Sequence, residues 1–340
     1  MEIRKNVPIA ELTTMRLGGA ADFVISVFDA EDVRAPYRFA QEHNLSTWVM
    51  GCGANTIGRD EGFHGVIILN KLSGIKVLEE NEQRLIVQAG GGEKWDDLVK
   101  FVCEKNFSGV EAMSMIPSTV GAAPVQNIGA YGQDISQVIE SLDAYDTREQ
   151  KIVTIPKQDM GMAYRHTRFN FGEDAERFFI LSITIKLTQK QMPMPFYNSL
   201  QAYIDQHHET DFSPKNIRRM ICEIRSQKLP DPEKIASAGS FFKNIYLDRD
   251  GADEAERSGI PVWRDVNGGG KINAGWLIEQ CGLKGKLING FHVSEKAALV
   301  LINESAKSYT DLEAARSKII ATVKDRFGFT LEQEPVEIKN

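Results

Sequence analysis

The chain has 340 residues, too long for one small domain and comfortable for two or three. Hydrophobic residues at 42% and charged residues at 26% are ordinary globular composition and exclude a disordered, collagenous or coiled-coil chain. Forty Lys and Arg against forty-seven Asp and Glu leave a formal charge of −7, which disfavours a sequence-wide binder of nucleic acid or anionic membrane, so any phosphate has to be met locally. No apolar run approaches the ~18–20 residues that span a bilayer, and the first fourteen residues hold no apolar signal core. A cytoplasmic protein with neither a nucleic-acid nor a membrane partner is expected, with a monomer as the default. Cys52, Cys103, Cys222 and Cys281 are widely spaced with no His at ligand spacing, so neither a zinc knuckle, another metal site nor a disulfide scaffold is expected. His207 and His208, side by side in a polar stretch, read as an exposed loop.

In chain order, Ala21–Val27 is a β-like run, Asp29–Glu42 a helical stretch, and Thr47–Met50 and Val66–Leu69 are short apolar runs of the kind buried in a sheet. Strands are predicted at Gly74–Leu78 and Arg84–Ala89, then a helix at Lys94–Glu104 with Trp95, Leu98, Phe101 and Val102 on one face. Three further strands follow, Val138–Tyr145, Lys151–Ile155 and Phe178–Leu187; so many strands with so few helices indicate α+β. Composition shifts at Gln189–Pro195, a predicted boundary. Ser213-Pro214 then starts a helix, Ser capping and Pro in the first turn, ahead of Ile217, Met220, Ile221 and Ile224. Thr310 and Glu313 form a capping-box pair before Leu312, Ile319, Ile320, Val323 and Phe327, a Gly-Phe pair ends that helix, and Thr330–Ile338 reads as a last strand.

Three sets of residues carry chemistry. Gly51-Cys52-Gly53-Ala54-Asn55-Thr56 follows a strand directly; its glycines permit positive φ and bring main-chain N–H groups close to an anion, as a diphosphate cradle needs, although a plain turn has the same composition. It is neither the dinucleotide fingerprint nor a P-loop. The run Ile116–Gly132 is denser, with small residues, Pro117, Pro124 and the Gln126-Asn127 amides, and describes a backbone held in one shape around a flat ring or a diphosphate. The third set is scattered: Tyr164-Arg165, the turn Lys228–Pro232, and Ala238–Asn244. Between Lys215 and Lys228 the basic residues Lys215, Arg218, Arg219, Arg225 and Lys228 face Glu223 alone; this reads as a solvated helix face, or as a way of aiming Lys228 at a phosphate from a rigid turn.

In this order the segments resemble the bacterial flavoenzyme family of UDP-N-acetylenolpyruvoylglucosamine reductases, also called UDP-N-acetylmuramate dehydrogenases. The similarity runs from Thr14–Gly19 to Leu331–Glu334, and its most specific pieces are GVIILNKLSGI, QNIGAYG, YR, KLPDP, AGSFFKN, AGWLIEQCGLKG and ALVLINE, all in register. The resemblance implies an α+β fold: a two-lobed FAD-binding domain of the vanillyl-alcohol-oxidase (PCMH) type over residues 1–190, split near 70, and a C-terminal α/β substrate-binding domain over 191–340 whose last strand (about 330–340) returns to the FAD-binding half. It implies non-covalent FAD with its diphosphate on Gly51, Cys52, Gly53, Ala54, Asn55 and Thr56. Further contacts would come from Ile116, Pro117, Gly121, Ala122, Pro124, Gln126, Ile128, Gly129, Ala130 and Tyr131. The implied reaction is reduction of an enolpyruvyl ether of UDP-N-acetylglucosamine to the lactyl ether by NADPH as co-substrate, a step of peptidoglycan synthesis.

Arg165 matches the family arginine that pairs with the substrate carboxylate, Glu334 the glutamate that works with it on the enol intermediate, and Ser240 the serine that protonates the carbanionic carbon. Tyr164, Tyr197, Lys228, Asn244 and Gln280 match substrate-binding positions, Tyr197 lying in a segment characteristic of the larger subgroup. Departures exist. Ser118 stands where the family usually has Gly, and Ala54, Ala122 and Ala123 stand where Ser is common, which is expected to weaken flavin binding by ~1 kcal/mol per lost hydrogen bond. Pro335 follows Glu334 where an aliphatic residue is usual, so Glu332 is the second candidate for the catalytic glutamate. Two other classes share parts of the pattern: a non-catalytic FAD or UDP-sugar binding protein, and an oxidase on the same scaffold.

Overall fold

The computed structural model describes residues 2–339. The first lobe holds β1 (Glu2–Pro8), β2 (Ala20–Val27), α1 (Arg34–Glu42), β3 (Ser46–Met50), β4 (Thr56–Ile57) and β5 (Phe63–Asn70). Its sheet runs β1-β2-β5-β3, with β1 antiparallel to β2 and the other pairs parallel. β5 is buried from Gly65 to Asn70, which is why it reads as an unbroken apolar run: a central parallel strand is covered on both faces. The helix expected over Asp29–Glu42 starts later, at Arg34, behind a 3-10 turn at Ala30–Val33.

The second lobe comprises β6 (Ile75–Glu80), β7 (Arg84–Gly90), α2 (Trp95–Glu104), the short hairpin β8 (Gly129–Ala130) and β9 (Gln133–Asp134), β10 (Ile139–Asp146), β11 (Lys151–Pro156) and β12 (Phe178–Thr188). Its sheet is wholly antiparallel, in the order β11-β10-β12-β7-β6. From Leu181 to Leu187 β12 alternates buried and half-buried residues, and α2 lays Trp95, Leu98, Val99 and Val102 on that sheet's core. The first sheet thus closes at Asn70 and the second opens at Ile75.

Two helices follow, α3 (Asn198–His207) and α4 (Pro214–Lys228), packed on each other through Leu200, Ile204, Ile217, Met220, Ile221 and Ile224. Ser213 caps α4 as its sequence predicts. The histidine pair is not a loop. His207 closes α3 with its ring stacked on Tyr203 at 4.0 Å, and His208 takes the left-handed cap at φ 54°.

The remaining elements are β13 (Ser237–Ser240), β14 (Ile245–Leu247), α5 (Arg249–Arg257), β15 (Trp263–Arg264), β16 (Gly270–Ile272), α6 (Ala274–Gln280), β17 (Leu287–Ile288), β18 (Phe291–Val293), β19 (Val300–Asn303), α7 (Tyr309–Phe327) and β20 (Val336–Glu337). They form sheets β13-β19-β18-β17 and β14-β16-β15 beneath α6 and α7. The core here takes in Met15, Leu17 and Ile57 from the first lobe, so the seam between the two is apolar. α7 is capped by Ser308 and Asp311, two residues before the expected Thr310 and Glu313, and Gly328 ends it at φ 77°. Thr330–Ile338 is not one strand. It bridges Phe242 at Gln333 and then pairs β20 in parallel with β4. Among the described residues no helix is long and apolar enough to cross a membrane.

Candidate active site

The loop from β3 to β4 and the run 116–131 lie against each other. Asn55 Nδ2 donates to Gln126 Oε1 at 2.7 Å, and Cys52 Sγ lies 3.5 Å from the Pro117 carbonyl oxygen. The main chain comes close enough that only glycine fits: a Cβ on Gly51 would stand 2.4 Å from Thr119 Oγ1, and one on Gly53, whose φ is +68°, 2.0 Å from the Leu12 carbonyl oxygen. Gly121 is tied to the second lobe through its N–H to Gly91 O at 2.7 Å. Thr119 and Thr13, on either side of Gly51–Gly53, carry buried hydroxyls without a hydrogen-bond partner. Two unsatisfied donors beside a glycine cradle fit the phosphate oxygens of FAD, since a buried polar group left unpaired is costly.

Arg165 sits in a tight turn between Ala163 and His166 at φ 52°. Its Nη1 and Nη2 donate to the Asn127 and Gly129 carbonyls at 3.2 and 3.4 Å, anchoring it on the cofactor run. Its Nε stands 2.8 Å from Glu334 Oε1, outside hydrogen-bond alignment. Glu334 arrives with the C-terminal tail, which runs antiparallel to 241–243: Glu334 N–H donates to Phe241 O at 2.9 Å and Lys243 N–H to Glu332 O at 2.8 Å. Ser240, exposed at the end of β13, is the residue just before that pairing. Burial pushes the Glu334 carboxyl above the usual carboxylate range against the pull of Arg165 and Lys243. Glu332 points to solvent, its side chain 74% exposed, with Lys243 Nζ at 3.5 Å. Of the two glutamates, Glu334 is the one that faces Arg165.

An aromatic wall continues from this pair. Tyr164 packs on Tyr246 at a tilt of 46° with ring centres 4.5 Å apart. Asn244 Oδ1 accepts from Ala274 N–H at 3.2 Å, at the start of α6. Burial raises the Tyr164 hydroxyl and lifts that of Tyr246 to about 12, so both stay protonated donors at neutral pH. Tyr197 meets Tyr131 edge-on at 5.7 Å, and Lys271 Nζ lies 5.8 Å from the Tyr197 ring centre and 6.0 Å from that of Trp263. Burial and the nearby Arg165 lower the Lys271 ammonium.

Arg165 is therefore in contact with Glu334 and Tyr164, Tyr246 adjoins Tyr164, Tyr131 and Tyr197 form a second aromatic pair, and Ser240 precedes Phe241, which pairs with Glu334. Lys228 and Gln280 are not joined to this group by any contact among the described residues. Lys228 is exposed at the end of α4, and Gln280, at the end of α6, offers its carbonyl to Arg326. The basic face of α4 is not simply solvated. Arg218 makes a two-toothed ion pair with Asp96 of α2 at 2.6 and 2.8 Å, and Arg225 reaches Met115 O at 3.2 Å. Sequence reasoning passed over Lys271 and Tyr246. The one local signal for the lysine is the glycine triplet Gly268–Gly270 before it.

A glycine-shaped loop pair on two α+β lobes, with a half-buried arginine and carboxyl joined to it, fits an FAD-binding flavoprotein, and residues 21–155 match the FAD binding domain family. Residues 231–338 match the C-terminal domain of UDP-N-acetylenolpyruvoylglucosamine reductase; 156–230, which hold Arg165 and Tyr197, fall between the two matches. The chain is 34% identical to the UDP-N-acetylenolpyruvoylglucosamine reductase of Porphyromonas gingivalis over 98% of each chain. It is 33% identical to that of Aliivibrio fischeri over 98% of this chain and 94% of the relative. The crystal structure of the corresponding Thermus caldophilus reductase has the same fold, with a TM-score of 0.66 at 20% identity over 99% of this chain and 100% of that one. The chain belongs to the UDP-N-acetylenolpyruvoylglucosamine reductase family.

Proposed function

We propose that this protein reduces the enolpyruvyl ether of UDP-N-acetylglucosamine to the lactyl ether, giving UDP-N-acetylmuramate, with NADPH as the electron source. The reaction serves peptidoglycan synthesis in the cytoplasm. The observation that supports this reading is the half-buried Arg165–Glu334 pair, whose glutamate is carried by a tail segment that pairs with Phe241, next in the chain to Ser240, and that touches Gln126 of the cofactor run. In this reading residues 1–190 hold the cofactor and 191–340 the substrate. The loops Gly51–Thr56 and Ile116–Tyr131 would hold FAD, with Thr13 and Thr119 supplying hydroxyl donors. When bound, FAD supplies hydride transfer between NADPH and the substrate double bond.

Hydride addition to the enolpyruvyl group leaves negative charge on the carbon next to the carboxylate. Arg165, a fixed fork of donors held by two main-chain carbonyls, binds that carboxylate and stabilises the charge as it spreads into it. Glu334 is raised by burial and so holds a proton more readily than a surface glutamate, which lets it share one with the enolic oxygen. Ser240 Oγ delivers the proton to carbon. Asn244, Tyr197 and Lys271 line the side where the diphosphate would lie, and Tyr164, under the Arg165 guanidinium, helps to hold the arginine in place.

The test separates two half-reactions under anaerobic conditions. The purified protein should be yellow, NADPH should bleach it, and the enolpyruvyl substrate should restore the oxidised spectrum. Ser240→Ala should leave bleaching intact and slow re-oxidation by roughly a hundredfold or more. Equal loss in both halves would make Ser240 a binding residue, and a colourless protein that takes up no flavin would overturn the reading as a whole.

A further inference from the structure

Arg165 occupies a backbone position that does not suit it. It is the second of the two residues at the tip of the turn closed by Ala163 and His166, whose main chains exchange hydrogen bonds: Ala163 N–H to His166 O at 2.8 Å, and His166 N–H to Ala163 O at 3.2 Å. At φ 52° it lies in the left-handed region, which L side chains rarely enter and where glycine or asparagine is the usual turn residue. Glycine would hold the same turn without strain, so the guanidinium is what the position is kept for. A strained residue of this kind persists only where its surroundings over-determine it.

Asn170 does this on the main chain itself. Its Nδ2 donates to the Arg165 carbonyl at 3.1 Å and its Oδ1 accepts from Thr167 N–H at 2.9 Å, so one amide fixes both peptide groups that flank His166. Thr167 is fully buried; its Oγ1 donates to Val125 O at 2.7 Å and accepts from Phe169 N–H at 3.2 Å. Asn127 Nδ2 donates to Ala163 O at 3.1 Å on the other arm of the turn. Both arms are thus tied to the cofactor run, but among the described residues Asn170 is the one hydrogen-bond partner of the Arg165 main chain. We infer that Asn170 is a positioning residue for the reaction: by holding the Arg165 carbonyl it keeps the turn left-handed and the guanidinium beside Glu334, where the substrate carboxylate is met. Without that bond the main chain relaxes to negative φ, the direction of the side chain swings, and the fork leaves the Asn127 and Gly129 carbonyls. This rests on Arg165 binding the carboxylate, as proposed above.

FAD-loaded wild type, Asn170→Ala, Asn170→Asp, Arg165→Met and the double variant of Asn170→Ala with Arg165→Met are titrated with the enolpyruvyl substrate. They are titrated separately with UDP-N-acetylglucosamine, which keeps the diphosphate and sugar but has no carboxylate, and re-oxidation by saturating substrate is followed by stopped flow. Asn170→Ala should weaken substrate binding about tenfold and slow re-oxidation about tenfold to a hundredfold, with UDP-N-acetylglucosamine binding and bleaching by NADPH within twofold of wild type. Asn170→Asp keeps the acceptor for Thr167 N–H and removes only the donor, so it should show the same selective loss. In the Arg165→Met background, Asn170→Ala should change substrate affinity less than twofold, because the group it positions is gone. Wild-type behaviour of either Asn170 variant would overturn the inference, as would full additivity with Arg165→Met. Equal weakening of both ligands, or release of FAD, would also overturn it, by making Asn170 a general brace of the cofactor run. If Asn170→Ala does not fold, Asn170→Asp decides on the same criteria. Substrate binding and re-oxidation unchanged in Arg165→Met would instead strike the proposed carboxylate site, and this inference with it.

Discussion

At the scale of single residues, the chemistry turns on one carboxyl. Glu334 feels burial raising its pKa and Arg165 lowering it, and burial is the larger effect. A carboxyl raised in this way is protonated to higher pH than an exposed one, and its proton is lost as pH climbs through the raised value. Re-oxidation of the reduced enzyme by substrate should therefore fall with rising pH along a limb above the ordinary carboxylate range. In Glu334→Gln that limb should vanish and the rate should drop by roughly a hundredfold, while Glu332→Gln, an exposed residue, should behave as wild type. Stopped-flow re-oxidation across pH checks all three statements. A full limb surviving in Glu334→Gln would assign the titration to another group.

At the scale of elements, Glu334 is only as well placed as the tail that carries it. Three residues on, Glu337 accepts from Arg59 Nη2 at 2.7 Å and from Arg316 Nη1 at 2.6 Å, which clamps β20 between the first lobe and α7. These arginines hold the Glu337 carboxyl down to about 2, the opposite shift from Glu334. A depressed carboxylate contributes stability that is present above its unfolded value near 4.5 and lost as pH falls towards about 2. Glu337→Gln should thus cost about 2 kcal/mol near neutral pH, and its gap from wild type in urea unfolding should close as the pH is lowered through that window; a gap independent of pH would mean packing, not charge, is lost. The tail clamp also marks the limit of what the sequence discloses. β2, β5, β7, β10 and β12 are legible because apolar runs and alternation are local. β1 is not, because an edge strand exposes Glu2, Arg4 and Lys5 and buries only Val7. The α7 cap is ambiguous locally, since Ser308 with Asp311 and Thr310 with Glu313 share one spacing; Asp60, from 249 residues earlier in the chain, accepts from the Tyr309 N–H at 2.6 Å and is visible only in three dimensions. Arg165, Ser240 and Glu334 are candidates because short motifs single them out in the sequence. Lys271 and Arg225 are single cations whose neighbours come from distant segments, and no local pattern announces them.

At the scale of the whole molecule, the acidic chain folds so that its C-terminal part rests on both lobes. Thr14 Oγ1 donates to Ser237 O at 2.6 Å on the first lobe, and Arg218 grips Asp96 on the second. Arg165, Lys243 and Lys271 lie near one another around Glu334, so a chain of formal charge −7 holds a locally positive cluster suited to a diphosphate and a carboxylate. Arg165 and Lys243 already have Glu334 and Glu332 as partners. Lys271 makes no salt bridge among the described residues and lies against the rings of Tyr197 and Trp263, which cannot neutralise it. Of these three cations it is the one without an ion-pair partner among the described residues. Lys271→Gln should raise the dissociation constant of the UDP-sugar about tenfold, leave bleaching by NADPH within twofold, and flatten the dependence of substrate binding on salt between 50 and 500 mM, because one screened attraction has been removed. Titration of the oxidised flavin spectrum with substrate at both salt concentrations measures each quantity. An unchanged salt dependence would place the diphosphate elsewhere, with the exposed Lys228 next to be replaced.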